Sequence, residues 1–170
     1  MENLRNQVAA SLSVSEFNKE FHFISLPTLD ALAEEIKTAS PNFALFLGMD
    51  ARSVNDSTLM FVADKLFSKG LAYLCAWGTD CKRIEHIFDQ VVIGNCLASG
   101  IEVTQNNVVM TTSHEGETIS EALWFFIYAA IPARDYEPTC KDWVVVSVGD
   151  DRGAETIRSQ TIQTLQNIDA

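Results

Sequence analysis

Three stretches of strand length are apolar almost from end to end: 43–49 (FALFLGM), 71–77 (LAYLCAW) and 143–148 (WVVVSV). A strand with one face in water alternates apolar and polar residues, so unbroken runs mark strands covered on both faces. Two further strands are read at 21–26 and 108–112. After each strand the apolar period lengthens to that of a helix. Leu29, Leu32, Ala33 and Ile36 make one helical face that must end before Pro41. Leu59, Val62, Ala63, Leu66 and Phe67 make the next, and Gly70 stops it. Ile84, Ile87, Phe88, Val91 and Val92 follow 71–77, and a helix over 154–167 turns Ile157, Thr161, Ile162 and Leu165 inward. Five strands, each with its helix, predict a three-layer α/β sandwich of the Rossmann-like kind. Its mostly parallel sheet of five or six strands is flanked by helices and joined by right-handed crossovers.

One domain over residues 1–170 accommodates this plan. Residues 1–20 read as a helical arm packed on the body, from the spacing of Leu4, Val8 and Leu12 and a capping box of Ser13 with Glu16 ahead of Phe17. Gly94, Gly100 and the pair Asn106 and Asn107 argue against one long helix through 94–107. Residues 101–104 read either as a short edge strand or as an extended approach.

The stretch 108–128 (VVMTTSHEGETISEALWFFIY) is a strand, a polar loop and an apolar helix in succession. Thr118 with Glu121 forms a capping box at the helix start. Apolar groups then surround most of the helix axis through WFFIY, more than one sheet can cover. The proline-containing loop 131–142 or the N-terminal arm is the expected cover, which favours a monomer. A homodimer burying Trp124, Phe125 and Tyr128 is the alternative.

In open α/β sheets ligands bind beyond the carboxyl ends of the strands. Those ends gather Asp50 and Arg52, then Thr79, Asp80 and Cys81, then His114 and Glu115, then Asp150 and Asp151. Acids with a histidine suit a divalent cation, or His114 serves as a base with Arg52 neutralising an anion. The simpler account is helix capping, for which Thr79, Asp80, Asp150 and Asp151 are all positioned; His114 is not needed for that. Cys81 at a helix N-terminus is a candidate thiolate, with His114 within reach only through the fold. Cys75, Cys81, Cys96 and Cys140 lack metal-site spacing, and structural roles are expected for them. There is no GxxxxGK[ST], GxGxxG or GxSxG, so no cofactor and no resident metal are expected.

The chain carries 23 acidic against 12 basic residues, a net charge of −11. That field repels phosphate backbones and would steer a basic protein inward, so a protein partner is expected and nucleic acid is not. No stretch reaches the roughly 20 apolar residues of a bilayer span, and no secretory pattern opens the chain; a cytoplasmic location is the expectation. The segments MTTSHEGETISEALWFF and CAWGTDCKRIEHIFD resemble parts of an uncharacterised bacterial domain family. The resemblance implies a bacterial or phage source and no catalytic residue. The first functional reading is an acidic protein-binding module, of the size and charge of a toxin-immunity or defence-system accessory protein. The alternative is a small metal-dependent hydrolase or transferase of phosphorylated substrates working at the strand-end rim.

Overall fold

The computed structural model describes the backbone of residues 12–14 and all of residues 18–167. Within them six strands form one sheet: β1 (Leu12–Val14), β2 (Lys19–Leu26), β3 (Asn42–Gly48), β4 (Leu71–Trp77), β5 (Met110–His114) and β6 (Cys140–Val148). Their spatial order is β1-β2-β6-β3-β4-β5. The five strands from β2 to β6 are mutually parallel, and β1 joins the edge antiparallel to β2. The helices are α1 (Leu32–Glu35, entered through a 3-10 turn at Leu29–Ala31), α2 (Asp56–Ser68), α3 (Cys81–Ala98), α4 (Ile119–Trp124) and α5 (Asp151–Gln166).

Alternation along the strands divides the core in two. Phe43, Leu45, Leu47, Leu74, Ala76, Val144 and Val146 pack under α1, α2 and α3. Phe46, Ala44, Tyr73, Cys75, Trp143 and Val145 face α4 and α5. That is the three-layer sandwich. At the centre, Phe43, Leu45, Phe46 and Leu47 are wholly buried on alternate faces, as their unbroken apolar run requires.

Several boundaries differ from the sequence reading, each for a local reason. The expected helical arm is a strand where it is described: Leu12↔Phe21 and Val14↔Lys19 pair in a hairpin, with Asn18 at φ 51° in its turn. Sheet pairing there outweighs the helical spacing. Leu4, Val8, Glu16 and Phe17 lie outside the described residues. The helix after 71–77 does not break at Gly94, where a Cβ would meet nothing. The cost of a helical glycine, about 1 kcal/mol, is outweighed by burial of Val92 and Cys96 on the other side. α3 stops instead at Gly100 (φ 68°), where Ile101 N–H reaches Cys96 O at 2.8 Å and Gly100 N–H reaches Leu97 O at 3.2 Å. Those two bonds are a Schellman closure.

Residues 101–104 are not a strand. Asn107 folds them into a turn, its side chain accepting from Thr104 N–H at 2.7 Å and donating to Glu102 O at 2.8 Å. The strand expected at 108–112 therefore starts later, at Met110, and runs on to His114. Its polar side chains find acceptors on neighbouring elements: Thr111 on Asp89, Ser113 on Glu85.

The aromatic helix is capped as read, with Thr118 Oγ1 accepting from Glu121 N–H at 3.2 Å and Glu121 Oε2 from Thr118 N–H at 2.8 Å. It widens to a π-turn over Phe125–Ala129. Part of its cover among the described residues is the expected N-terminal segment, with Lys19 Nζ donating to Ile127 O at 2.9 Å; most of that arm lies outside the described residues. α5 lies beside the aromatic helix, and Tyr128 Oη donates to Thr164 O at 2.9 Å. The loop after it turns away toward the 104–107 turn, through Asp135 N–H to Asn106 O at 2.9 Å and Tyr136 Oη to Asn107 O at 2.6 Å. Trp124 stays 57% exposed. No helix among the described residues is long and apolar enough to cross a membrane.

Candidate functional site

Adjacent strands whose following helices leave to opposite faces open a crevice at their carboxyl ends. This sheet has three such places: between β4 and β5, between β3 and β6, and between β2 and β6. The rim residues are distributed between them, so they do not form one constellation.

At the β4–β5 mouth, Trp77 and His114 are register partners. Trp77 Nε1 donates to Glu117 O at 2.9 Å and so pins the loop after β5. The His114 ring is buried, with Nδ1 2.8 Å from Glu117 Oε2, Nε2 3.1 Å from Thr112 Oγ1, and the Phe125 ring 4.6 Å away. Both ring nitrogens are engaged, which leaves no free nitrogen aimed at a substrate. Cys81, at the start of α3, is buried. Burial pushes its thiol up, partly offset by a hydrogen bond with the His114 backbone, while Glu115 adds to the rise. That is the reverse of an activated thiolate. Glu115 pairs with Lys82 at 2.9 Å.

Asp80 occupies the N-cap position of α3 at φ 65° without capping it. It accepts from Arg83 Nε at 2.7 Å instead. Arg83 is the cation that the sequence reading missed. It also bonds Asp56 at 2.6 Å, Ala51 O at 2.5 Å and Val54 O at 2.9 Å, tying the loop after β3 to the start of α3.

At the β3–β6 mouth, Asp50 and Arg52 form an exposed two-pronged pair, with contacts of 3.0 Å and 2.6 Å. Arg52's side-chain and backbone bonds hold the Asp50 carboxyl down at about 2. Asp150 caps α5 through Gly153 N–H at 2.7 Å, and Asp151 is exposed in that helix's first turn, where its charge suits the helix dipole. Each acid thus satisfies a local structural need.

Sequence reasoning missed a cluster at the opposite end of the sheet. Glu20, His22 and Asp142 bring their ligand-type atoms within 4.8 Å of one another, and no rim residue belongs to such a group among the described residues. Parallel pairing sets Glu20 opposite Asp142, with His22 two residues on along the same face. His22 Nε2 lies 2.7 Å from Asp142 Oδ1. Ser40 holds Oδ2 with its amide at 2.8 Å and its hydroxyl at 2.5 Å. Burial pushes the Asp142 carboxyl up, but the bonds from Ser40 and His22 outweigh it and hold the group below the usual carboxylate range. A cleft of about 370 Å³, lined by Glu20, Ser40, Thr139, Lys141 and Asp142, adjoins the cluster. The visible signal was an aspartate heading an apolar strand, a place where charge is rarely buried without partners.

A comparison with curated proteins finds no match. The model of a family described as a domain of unknown function, DUF7684, matches residues 21–164. The chain therefore belongs to that family.

Proposed function

We propose that this member of the DUF7684 family is a protein-binding module, and that its docking place is the open edge of β5. The observation that carries the reading is an unpaired edge flanked by exposed apolar groups. Among the described residues β5 pairs with β4 alone. α3 runs back across the sheet, so its last turn lies near the start of β5. Ile93 and Leu97 of α3, Ile101 and Val103 in the turn after it, and Met110 on the other face at the start of β5 are all exposed, Leu97 to 72%. Isolated apolar residues on a surface are ordinary, but a bare strand edge whose own first residue and neighbouring elements expose apolar side chains is a place for a partner.

The occupant is an extended segment of a basic partner protein, added alongside β5. Main-chain bonds would supply much of the affinity, and alternate side chains would reach the apolar groups. Charge supports a basic partner: Glu85 and Asp89 stand along β5 on α3, and the whole chain carries −11. Neutralising a cationic toxin, the role of an immunity protein, is one use of such a surface. The rim reading of a metal-dependent hydrolase or transferase is the weaker one, because the rim acids are held apart in local pairs.

Peptides selected for binding from a random displayed library test the reading. The expected winners combine basic and apolar residues, slow amide exchange at 110–114, and lose at least tenfold in affinity with Leu97→Lys or Met110→Lys. Winners that leave the β5 amides unprotected and ignore both substitutions would overturn it.

A further inference from the structure

The geometry points to a divalent-cation site of zinc type in which His22 Nε2, Asp142 Oδ1 and a Glu20 oxygen are the protein ligands. This stands apart from the β5 edge and does not depend on it. One imidazole with two carboxylates is a donor set that suits zinc and its first-row neighbours, and three protein ligands leave a place for a solvent molecule.

The arrangement is prepared in three respects. The backbone fixes the spacing, because Glu20 and Asp142 are register partners on adjacent parallel strands and His22 follows at the two-residue repeat of one face. Ser40 occupies the far oxygen of Asp142 with two donors, which orients the near oxygen toward His22. Such outer partners commonly orient metal ligands. The 2.7 Å between His22 Nε2 and Asp142 Oδ1 is close to the separation of two ligand atoms on one ion. Bonds of about 2.0–2.1 Å set at 90–110° place their ends roughly 2.9–3.3 Å apart. A cation entering there displaces the shared proton and opens the pair by a few tenths of an ångström.

Access and charge agree with this. The His22 side chain is 30% exposed while that of Asp142 is 2% exposed, so the site has a buried anchor and an open mouth. The adjoining cleft of about 370 Å³ is lined by both carboxylate residues, and the vacant coordination position would face it. Two carboxylates with a neutral imidazole carry two negative charges, which a dication cancels. Lys141 at the cleft offers one positive charge from an exposed side chain, half of what the two carboxylates present.

The test uses tag-free full-length protein, stripped of metal by chelator and dialysed. Zinc is titrated by equilibrium dialysis with elemental analysis, and cobalt(II) is followed by its visible absorption. The expected result is one ion per chain, a cobalt spectrum of low coordination number, and displacement of cobalt by zinc. Glu20→Gln and His22→Gln should each weaken zinc binding at least 100-fold with an unchanged circular-dichroism spectrum. Ser40→Ala, which touches no ion, should weaken it about tenfold. Asp142→Asn is the less useful variant, since it threatens folding. No retained zinc and no cobalt bands at millimolar ion would overturn the inference, and the cluster would then be a proton-sharing His22–Asp142 pair. Binding that survives both Glu20→Gln and His22→Gln would overturn it equally, by placing the ion elsewhere.

Discussion

Arg83 shows how one side chain replaces a network that sequence inspection sought elsewhere. Four acceptors converge on it, two of them backbone carbonyls in the loop after β3. Replacing it with methionine leaves Val54 O unpaired and Ala51 O with only its bond from Val54 N–H at 3.1 Å, and we expect a loss of about 1–3 kcal/mol in urea unfolding. A change under 0.5 kcal/mol would mean that solvent already satisfies them. Gly78 is constrained by backbone rather than side chains. Its φ is 112°, and a Cβ there would lie 2.1 Å from Met49 O, beside the Met49 N–H to Trp77 O bond of 3.1 Å that extends the β3–β4 pairing. Gly78→Ala should therefore cost at least about 2 kcal/mol. The thiols give a pH prediction. Burial pushes Cys75 up, with its bond to Thr112 offsetting only part of the rise. A folded-state value above the unfolded one, about 8.5, means that the folded chain holds the proton more tightly. The associated stability is complete below that value and declines as pH rises toward the folded one. The slope approaches about 1.4 kcal/mol per pH unit for one group. Unfolding free energies at several points from about pH 8 to about pH 11 should fall more steeply for the wild type than for Cys75→Ala. Parallel slopes would refute this.

Elements were legible where composition alone decides. Buried strands need unbroken apolar runs, so β3, β4 and β6 stood out in the sequence, and the Thr118–Glu121 spacing announced the start of α4. Thr118→Ala removes an acceptor from the Glu121 amide. It should cost about 1 kcal/mol, readable as a lower thermal midpoint; an unchanged midpoint would show that water serves as well. Elements were misread where distant partners decide. Gly94 reads as a breaker until the opposite face of α3 is known to be buried. Leu12 to Val14 reads as helical until β2 offers an edge to pair with. The Glu20–His22–Asp142 cluster is the extreme case: His22 and Asp142 are 120 positions apart in sequence. Their meeting depends on β6 inserting between β2 and β3, which no local pattern encodes. The rim acids were visible in the sequence and the cap by Asp150 was read from it, but the pairing of Asp80 with Arg83 was not, because a cap, a salt bridge and a ligand use the same residue types.

At the scale of the whole molecule charge opposes self-association. A net charge of −11 on 170 residues keeps copies apart and strains the folded state by self-repulsion. The surface that would drive pairing through the aromatic helix is small. Leu123, Phe126 and Ile127 are wholly buried, Tyr128 is tied to α5 at Thr164, and Phe125 lies against His114. Trp124 remains, with its ring 5.6 Å from that of Tyr128. One exposed tryptophan falls far short of the roughly 800 Å² per partner that a stable interface buries. The β5 edge is longer, but two copies meeting there would set Glu85 and Asp89 of each against the other's, a repulsion that a basic partner would not meet. We therefore expect light scattering to return the monomer mass across a hundredfold concentration range at moderate salt. Trp124→Ala should leave both that mass and the unfolding free energy unchanged within about 0.5 kcal/mol. Raising salt confines the acidic repulsion to separations within a Debye length, about 10 Å at 0.1 M, so any latent pairing through β5 should emerge there first. A dimer at low salt that Trp124→Ala converts to folded monomer would refute the burial argument for α4. A dimer that forms only at high salt and is lost with Met110→Lys would place a second copy on the edge assigned here to a basic partner.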